Sequence, residues 1–162
     1  DTPEEYVRQT VEKRLIDEHK YFAAQIAIEY VLKLGSRRPR ADIVIWDKNI
    51  SEKTQDNAKI IIECKQEKIQ PTSSKDGIEQ LKSYMTICPN CEWGMWTNSR
   101  AKFVFKKIRD AENKIIFEEY NDIPSAEGNI SEIDKPTRAN LKNAVDDNLL
   151  FVYGGEKFAF LC

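Results

Sequence analysis

The sequence has little of what a strongly basic, membrane-spanning or histidine-rich metal protein needs. One histidine occurs in 162 residues, the formal net charge is −2, and no apolar run approaches the roughly 20 residues that cross a bilayer. We expect no signal peptide, and we find no internal repeat or low-complexity tract in the sequence. We therefore expect a protein without membrane contact. The chain as a whole also lacks the basic surface typical of proteins that bind polyanions.

Cysteine is present but does not complete a metal site. Cys88 and Cys91 have C-x-x-C spacing, yet a zinc site needs two further ligands, and the single histidine, His19, has no partner motif. A thioredoxin-like redox role requires a different surrounding fold. We predict a helix end and turn that contain two thiols, and a reducing, cytoplasmic location in which Cys64 is a small apolar strand residue.

The composition favours one globular domain followed by a further segment. Apolar residues make up 41% of the chain and charged residues 32%, which at this length supports a buried core. We predict a core over residues 1–120, a linker-like segment over 121–136, and a helix with an apolar tail over 137–162. Because the sequence lacks an initiating Met and stops abruptly, we expect a fragment whose tail begins the connection to a missing downstream domain.

Two runs rich in β-branched residues, 40–46 and 59–65, predict adjacent strands at the centre of the fold. The second run contains three consecutive isoleucines without polar alternation, so its strand should be buried on both faces. Residues i and i+2 of a strand point to one face. Glu63 and Lys65 therefore project together, and the neighbouring strand brings Asp42 beside them.

Two carboxylates and an ammonium group in one place are what metal-assisted phosphodiester hydrolysis uses. Asp42 and Glu63 would hold a hard cation, which we expect to be Mg²⁺, with Mn²⁺ as a substitute and the Cys64 backbone carbonyl as a third ligand. Lys65 would orient the attacking water or neutralise charge at the phosphate. The alternative is a structural Glu–Lys pair at a strand end.

Capping signals predict the first helix. Thr2 and Glu5 have the T-x-x-E spacing of a capping box, and Pro3 suits the first helical position. The helix should run to about His19. Its inward positions are expected to be Val7, Val11, Leu15 and Ile16. Glu4 and Glu5 are interpreted as favourable first-turn acids, with an extra metal ligand as the alternative.

A strand over residues 22–34 and a hairpin turn over 36–38 should follow. This hairpin places Glu29 opposite Ile45, about three residues or ~10 Å along from Asp42, although a one-residue change of register would switch its face. Glu29 is therefore either an auxiliary acid of the site or a solvent-facing residue. The basic residues near the turn are either a solvated loop or contacts for phosphate. They are Arg37, Arg38 and Arg40.

A second helix is predicted over residues 76–88, with Ser73 and Asp76 in capping-box spacing. Its apolar face comprises Ile78, Leu81, Met85 and Cys88. Gln80 and Tyr84 are four residues apart and lie one above the other on a neighbouring face. Three more strands should follow, over 92–97, 101–108 and 114–120. We expect the two tryptophans in the first of these to be core residues rather than a base-stacking surface.

Taken in order, these motifs resemble the PD-(D/E)XK nuclease superfamily. More narrowly, they resemble the N-terminal nuclease domain of type I restriction enzyme R subunits and related domains fused to DNA methyltransferases. The matching residues are Pro3-Glu4-Glu5-Tyr6-Val7-Arg8, Glu29, Arg40-Ala41-Asp42, Glu63-Cys64-Lys65, Gln80 to Tyr84 and Trp96-Thr97-Asn98. Each motif alone is weak, but the ordered set is fairly specific. One departure is the long polar segment over residues 47–59.

The resemblance implies an α/β, restriction-endonuclease-like core with a mixed central sheet flanked by helices in the order αβββαβ. It implies that Asp42, Glu63 and Lys65 are catalytic and that Gln80 and Tyr84 support the site or the DNA. The implied function is a magnesium-dependent endonuclease module, a hydrolase of double-stranded DNA in a bacterial restriction-modification system.

Motor or methyltransferase domains or subunits of a restriction complex are the implied partners, with ATP used only by a missing motor domain. Two alternatives stay open at this point. One is a RecB-type exonuclease module, which also carries the Q-x-x-x-Y pattern. The other is a non-catalytic module that keeps the fold and only binds DNA or a partner.

Overall fold

The computed structural model describes residues 2–128, in which six strands form one mixed sheet with a helix on each face. The elements in chain order are α1 (Pro3–Asp17), a 3₁₀ turn (Ala23–Gln25), β1 (Ile26–Val31), β2 (Arg40–Ile45), β3 (Ile60–Cys64), α2 (Ile78–Thr86), β4 (Trp93–Thr97), β5 (Lys102–Arg109) and β6 (Ile115–Tyr120). The strands lie side by side in chain order. Within this sheet, β3 and β4 are the one parallel pair.

The parallel pair explains why a helix separates β3 from β4. Parallel neighbours need a crossover connection, whereas antiparallel neighbours can be joined by a hairpin, and α2 is that crossover. The predicted α/β class, with a mixed sheet flanked by helices, is confirmed. The predicted order of one helix, three strands, one helix and one strand is also observed, and β5 and β6 follow it.

The three isoleucines of β3 show how both faces of the sheet are covered. Ile60 and Ile62 pack towards α1 and Ile61 packs towards α2, all at 1% exposure or less. The α1-side core consists of Val7, Val11, Leu15, Tyr21, Ile43, Ile45, Ile60, Ile62, Cys64, Trp93, Met95, Val104 and Ile123. The α2-side core consists of Leu32, Ala41, Val44, Trp46, Ala58, Ile61, Leu81, Tyr84, Met85, Cys88, Cys91, Trp96 and Phe105. The predictions of a doubly buried strand and of core tryptophans are confirmed.

The capping box at the start of α1 is confirmed. The Glu5 amide donates to the Thr2 hydroxyl at 3.1 Å, and the Glu5 carboxylate accepts from the Thr2 amide. Val7, Val11 and Leu15 are buried as predicted. The helix ends at Asp17 rather than near His19. Ile16 was wrongly assigned to the inward face, because its side chain is 44% exposed.

The first strand is shorter than predicted. Residues 22–25 form a turn because the Gln25 side chain accepts from the Phe22 amide and donates to the Trp46 carbonyl, so β1 begins only at Ile26. The hairpin closes earlier and with a shorter turn than expected, at residues 35–36 in place of 36–38, where Leu34 and Arg37 exchange backbone hydrogen bonds.

The pairing register of this hairpin corrects the predicted position of Glu29. Ile28 pairs with Ile43 and Tyr30 pairs with Ala41, so Glu29 lies at the level of Asp42. The partner of Ile45 is Ile26, and the predicted placement of Glu29 opposite Ile45 was wrong. The reason is physical: the earlier turn shifts every pair along the hairpin.

The second helix begins at Ile78 and ends at Thr86, inside the predicted bounds of 76–88. Asp76 does donate its amide to the Ser73 hydroxyl, but this bond stabilises a turn before the helix. The helix N-cap is Gly77, where a Cβ atom would collide with the carbonyl oxygens of Pro71 and Ser73. The predicted apolar face is confirmed by the buried positions Leu81, Met85 and Cys88.

The long segment between β2 and β3 packs away from the acidic residues. It joins the end of β2 to the start of β3, whereas Asp42 and Glu63 lie at the other ends of those strands. The Trp46 indole donates to the Thr54 carbonyl, and the side-chain amide of Gln55 donates to the Ile87 carbonyl near the end of α2. The departure over residues 47–59 therefore leaves the candidate site unaffected.

The predicted strands after α2 are confirmed to within a residue or so, as β4, β5 and β6. Beyond β6, the first residues of the predicted linker-like segment contact the core. Ile123 is 2% exposed within the α1-side core, the Tyr21 hydroxyl donates to the Pro124 carbonyl, and the Ala126 amide donates to the His19 carbonyl. The rest of that segment and the predicted tail over 137–162 lie outside the described residues.

Candidate functional site

β2 and β3 part where their pairing ends, and two carboxylates occupy the gap. Backbone pairing stops at Ile43 opposite Ile62. One residue further, the Asp42 amide donates to Glu63 Oε2 at 3.0 Å, and the Cys64 amide donates to Asp42 Oδ2 at 2.7 Å. Each strand thus offers a carboxylate to a backbone amide of the other, where a regular ladder would use a carbonyl oxygen.

Lys65 brings a positive charge to the same place. Its Nζ lies 3.4 Å from Glu63 Oε1 and 4.0 Å from Asp76 Oδ1. The Lys65 amide donates to the Thr97 carbonyl, which keeps this end of the strand attached to β4. Glu63 and Lys65 are only 1% and 7% exposed, so their ion pair is largely withdrawn from water.

Burial is the main influence on the two acids. It raises the pKa of Asp42 and of Glu63 above their ordinary values, and at Glu63 repulsion from Asp42 raises the pKa further. Burial alone would lower the pKa of Lys65, but the carboxylates around it, Glu63 first, outweigh burial and raise it. The site therefore combines two acids that are costly to ionise with a lysine that stays protonated.

α1 contributes two charged residues to this place. Glu4 was expected here only under the alternative in which it is an extra metal ligand, and Arg8 was not assigned to the site. Glu4 interacts electrostatically with Asp42, Cys64 and Lys65, and Arg8 interacts with Asp42 and Cys64. Glu4 and Arg8 are four residues apart, which places them on one helix face. The buried residues of α1 determine which of its faces packs on the sheet. The four-residue spacing was therefore the sequence feature that could have predicted the position of Glu4 and Arg8.

Glu29 reaches the same neighbourhood but binds arginine. Its Oε2 lies 3.1 Å from Arg8 Nη1 and its Oε1 lies 3.2 Å from Arg40 Nη1. The side chain is 51% exposed. Glu29 therefore lies at the same level of the β1–β2 hairpin as Asp42, and guanidinium groups bind both of its carboxylate oxygens.

Gln80 and Tyr84 come to the α2 side of the site. Tyr84 is 4% exposed, and its pKa is raised first by burial and then by the charge of Glu63. Gln80 lies close enough to the Tyr84 hydroxyl to lower that pKa in part. Its Oε1 is buried and has no hydrogen-bond partner within residues 2–128.

In the sequence, Asp76 was assigned only to a capping box with Ser73, and its carboxylate was not assigned to the site. Its amide donates to the Ser73 hydroxyl and its carbonyl accepts from the buried Trp96 indole. These two bonds fix the backbone that carries the carboxylate next to Lys65. The sequence feature that could have predicted its position beside Lys65 is its short separation along the chain from Glu63 and Lys65.

The loop after β3 is fastened to the turn after β4 by Asn98. The side-chain amide donates to the carbonyls of Glu67 and Ile69, and Oδ1 accepts from the amides of Arg100 and Ala101. Asn98 is 4% exposed. Its place in the ordered motifs therefore has a structural explanation, because it holds the loop at the mouth of the site.

The tip of the β1–β2 hairpin carries two guanidinium groups without an acidic partner in the described part of the chain, whereas Arg40 pairs with Glu29. They belong to Arg37 and Arg38. The Arg38 guanidinium donates to the carbonyls of Gly35 and Arg37, which holds it in the turn. Arg37 is close enough to Tyr84 to affect its pKa, so the tip lies on the same side as the site.

The C-x-x-C segment is a buried turn after α2, as predicted. The Cys91 amide donates to the Cys88 carbonyl, the Cys91 thiol donates to the Trp93 carbonyl, and both thiols are free. Burial raises the pKa of each thiol, to about 11 at Cys88 and about 12 at Cys91. Among residues 2–128 there is no cluster of three or more His, Cys, Asp or Glu side chains that could hold a metal ion.

The fold and these contacts define a mixed-sheet α/β domain with a buried acidic site, completed by a lysine, where two central strands part. The chain belongs to the family described as type I restriction enzyme R protein N terminus (HSDR_N), which it matches over residues 3–124. The match spans every described element from α1 to β6, and it confirms the family expected from the motifs. No curated protein and no solved structure matches the chain. Within the described part, no helix has the length and apolar character needed to cross a bilayer.

Proposed function

We propose that this domain is a PD-(D/E)XK nuclease module of a restriction system, which hydrolyses phosphodiester bonds of double-stranded DNA with Mg²⁺. One observation carries the proposal. Where β2 and β3 part, Asp42 and Glu63 exchange hydrogen bonds with backbone amides, and Lys65 lies 3.4 Å from Glu63. Membership of a restriction enzyme R protein family supports the same reaction class.

The residues present fit a hard cation in charge and in chemistry. Asp42 and Glu63 have raised pKa values because they are buried, and a bound cation would offset the cost of ionising them. Mg²⁺ commonly uses one or two carboxylates and keeps several waters, so the pair suffices, with the Cys64 carbonyl as the proposed third oxygen. When bound, such a cation lowers the pKa of a coordinated water and polarises the phosphoryl oxygens.

Lys65 is suited to electrostatic stabilisation rather than to proton abstraction. The acids around it raise its pKa, so the amine stays charged at neutral pH. An ammonium group held by Glu63 and near Asp76 can be aimed at a phosphate whose negative charge grows in the transition state. We therefore assign Lys65 the role of neutralising the phosphate and orienting the water by charge.

Gln80 and Tyr84 are proposed to support this arrangement from α2. A buried acceptor without a partner costs free energy, and Gln80 Oε1 is such an acceptor. It can accept a hydrogen bond from a water but not from a phosphate oxygen, which has no proton to give. Gln80 is therefore proposed to orient water in the site, and Tyr84 to hold Gln80 in place.

DNA is proposed to approach over the hairpin tip that carries Arg37 and Arg38, since neither has an acidic partner in the described part of the chain. Arginine is well suited to phosphate because it presents a planar set of donors. With a net charge of −2, the domain alone should bind DNA weakly. We propose that motor or methyltransferase domains or subunits supply most of the affinity, and that any use of ATP belongs to a motor domain.

A second candidate is a non-catalytic module that keeps the fold. One observation favours it: one oxygen of each site carboxylate is already bound to a backbone amide. Such a module would bind DNA or a partner subunit without cutting. Metal binding separates the two candidates, because only a nuclease requires Asp42-dependent affinity for Mn²⁺.

The test is cleavage of supercoiled plasmid in Mg²⁺ or Mn²⁺ by the unaltered chain, Asp42→Ala and Lys65→Ala. Matched controls are Asp47→Ala and Lys59→Ala, which pair with each other beyond the opposite ends of β2 and β3. Nicking that is lost in both site variants and kept in both controls is the expected result. Cleavage that survives Asp42→Ala or Lys65→Ala would overturn the proposal.

If no form cuts plasmid, calorimetry with Mn²⁺ decides between the two candidates. Binding by the unaltered chain that is lost in Asp42→Ala supports a nuclease that needs its partner domain. Absence of Mn²⁺ binding supports the non-catalytic module.

A further inference from the structure

Glu29 adopts a backbone conformation that is unusual for its residue type and place. Four non-glycine residues in the described part of the chain have positive φ, and among them only Glu29, at +52°, lies inside a strand. A non-glycine side chain in the left-handed region is strained, and such strain persists only where the surroundings hold it. Glu29 faces Asp42 across the hairpin, so the strain lies at the level of the site.

At this level of the hairpin, the side chains of both β1 and β2 switch from one face of the sheet to the other. Side chains two residues apart in a regular strand share a face. In β1, however, Ile28 packs against the α1-side core and Tyr30 against the α2-side core. In β2, Ile43 belongs to the α1-side core and Ala41 to the α2-side core. The regular alternation of side chains is therefore broken at the same level in both strands, between the Ile28–Ile43 pair and the Tyr30–Ala41 pair.

This break in alternation decides where the Asp42 carboxylate lies. Val44 faces α2, and regular alternation would place Asp42 on that same side. Instead Asp42 interacts with Glu4 and Arg8 of α1, and its Oδ2 accepts from the Cys64 amide at 2.7 Å. The departure from alternation thus moves the carboxylate into the gap between β2 and β3.

Two arginines hold Glu29 in place, one from each neighbouring element. Arg8 of α1 binds one carboxylate oxygen and Arg40 of β2 binds the other, at 3.1 and 3.2 Å. Arg8 is itself anchored, since its side chain is 16% exposed and lies 3.7 Å from both Glu5 and Glu12. The side chain of Glu29 is therefore tied to α1 and to the strand that carries Asp42.

We propose that Glu29 is a positioning residue: its left-handed backbone, with its carboxylate clamped between Arg8 and Arg40, sets the side of the sheet on which Asp42 presents its carboxylate. This differs from an auxiliary acid that would itself bind a metal ion, because both Glu29 oxygens are used by guanidinium groups. The part of the inference that concerns metal binding and cleavage rests on the proposed nuclease function. The part that concerns the placement of Asp42 does not.

The Cys64 amide proton reports this placement without any metal. Because it donates to Asp42 Oδ2 in a short bond to a carboxylate, its chemical shift and its hydrogen-exchange rate measure whether that carboxylate is in place. We expect Glu29→Ala to move the chemical shift of the Cys64 amide upfield and to speed its exchange. The variant loses the ion pairs with Arg8 and Arg40, which hold residue 29 in its left-handed conformation. Glu29→Gln keeps the side-chain size and should give a smaller change in the same direction.

Glu29→Gly separates the backbone from the clamp. Glycine accepts positive φ without strain, so this variant keeps the backbone conformation and loses only the carboxylate. Its Cys64 amide should fall between those of the unaltered chain and Glu29→Ala. The matched control is Glu12→Gln, which removes another partner of Arg8 but does not contact β2, and should leave the Cys64 amide unchanged.

Metal binding and kinetics extend the test. Residues that orient metal ligands change metal affinity about 10–100-fold when altered, so we expect Glu29→Ala to weaken Mn²⁺ binding about tenfold, and Glu29→Gly less. In cleavage, kcat should fall while KM for DNA stays the same, because Glu29 is not proposed to touch DNA.

Two results would overturn the inference. One is a Cys64 amide that is the same in Glu29→Ala, Glu29→Gln and the unaltered chain. The other is equal loss of Mn²⁺ affinity in Glu29→Gly and Glu29→Gln with that amide unchanged, which is the signature of a metal ligand. If the amide shifts as expected but no form binds Mn²⁺ or cuts DNA, the positioning role stands and the nuclease proposal fails.

Discussion

The two ends of the sheet each hold a lysine beside one end of α2, and the two lysines are held by different partners. Lys65 lies near the start of α2 and pairs with Glu63 and Asp76. Lys107 lies near the other end and donates to the carbonyls of Met85 and Cys88, at 2.7 and 2.8 Å. Carboxylates raise the pKa of Lys65, whereas burial lowers the pKa of Lys107.

The difference shows how a structural lysine can be told from one at a candidate site. The last carbonyls of a helix have no partner within the helix, and a lysine there satisfies them and interacts favourably with the helix dipole. Lys107 does this, and the groups around it, the thiols of Cys88 and Cys91, are neutral because burial raises their pKa. Around Lys65 the acids outnumber the lysine, so ionising both buried carboxylates leaves a negative charge that a cation could neutralise.

Replacing each lysine by methionine should give the largest contrast. Lys65→Met should lower plasmid cleavage by about 10²–10³-fold, since it removes a charge aimed at the phosphate. Lys107→Met should leave cleavage near normal but lower the free energy of unfolding by about 1–3 kcal/mol, because two carbonyls lose a charged donor. Plasmid nicking and urea unfolding measure both effects.

The exposed residue Lys114 provides the control for both, as Lys114→Met should change neither cleavage nor unfolding. Loss of cleavage in Lys107→Met at temperatures where that variant is folded would contradict the distinction between the two lysines.

Neutralising Glu63 should stabilise the metal-free fold while it abolishes cleavage. Folding raises the Glu63 pKa above its ordinary 4.5, so above that pH the folded state binds a proton that the unfolded state has lost. Stability therefore falls as the pH rises. Glu63→Gln removes this penalty, and we expect it to raise the free energy of unfolding by about 1–2 kcal/mol near pH 8, and by little near pH 4.

Urea unfolding in EDTA over this pH range measures the Glu63 effect. Glu67→Gln is a suitable control, since Glu67 pairs with Arg100 at the surface with 62% exposure. A Glu63→Gln variant that is less stable than the unaltered chain at high pH would show that the Lys65 ion pair outweighs the cost of burial.

The basic hairpin tip should contribute to DNA binding, whereas the basic residue near the other end of the sheet should not. Arg37→Ala with Arg38→Ala should weaken binding of a DNA duplex in Ca²⁺ and reduce the salt slope by about one for each phosphate that the tip no longer binds. Arg109→Ala is the control, because Arg109 is exposed at the end of β5 and donates to the Asn113 carbonyl. Equal effects of the two changes would argue against a directed DNA surface.

The smallest expected effect lies outside both ends of α2, at His19. Its Nε2 lies 2.9 Å from Asp122 Oδ2. Burial alone would lower the His19 pKa, but the bond and charge of Asp122 outweigh it, and the net pKa is raised above 6.5. Stabilisation by this pair is therefore complete below pH 6.5 and is lost as the pH rises through the raised value.

Asp122→Asn should lower the free energy of unfolding by about 0.5–1 kcal/mol at acidic pH and by less as the pH rises. Lys102→Met removes the other partner of Asp122, at 3.4 Å. Because the charge of Lys102 lowers the His19 pKa, its removal should extend the stabilisation by the His19–Asp122 pair to higher pH, the opposite of Asp122→Asn. Thermal unfolding from about pH 6 to pH 8 tests both. A constant difference for Asp122→Asn over that range would contradict a charged His19.

Sequence reasoning predicted which strands carry the candidate acids because strand periodicity is local. The i and i+2 rule places Glu63 and Lys65 on one face, and the structure shows them 3.4 Å apart. It missed the register of β1 because a hairpin register depends on which residues form the turn, and the two-residue turn at 35–36, in place of 36–38, moves every pair. Glu29 was displaced for this reason, and no local pattern predicts positive φ at a glutamate.

Periodicity and neighbours along the chain were sufficient to predict most of the helices and strands, the two buried faces of β3, the family and the cap of α1. They did not predict where β1 begins or that Gly77 caps α2. The approach of Glu4, Arg8 and Asp76 to the strand ends, and the binding of Glu29 by arginines, depend on how the chain folds in three dimensions. These contacts join segments far apart in the chain, and their geometry depends on packing and register. The charge balance around Lys65 and Lys107 follows from the same packing, which is why one lysine supports a helix end and the other completes the acidic site.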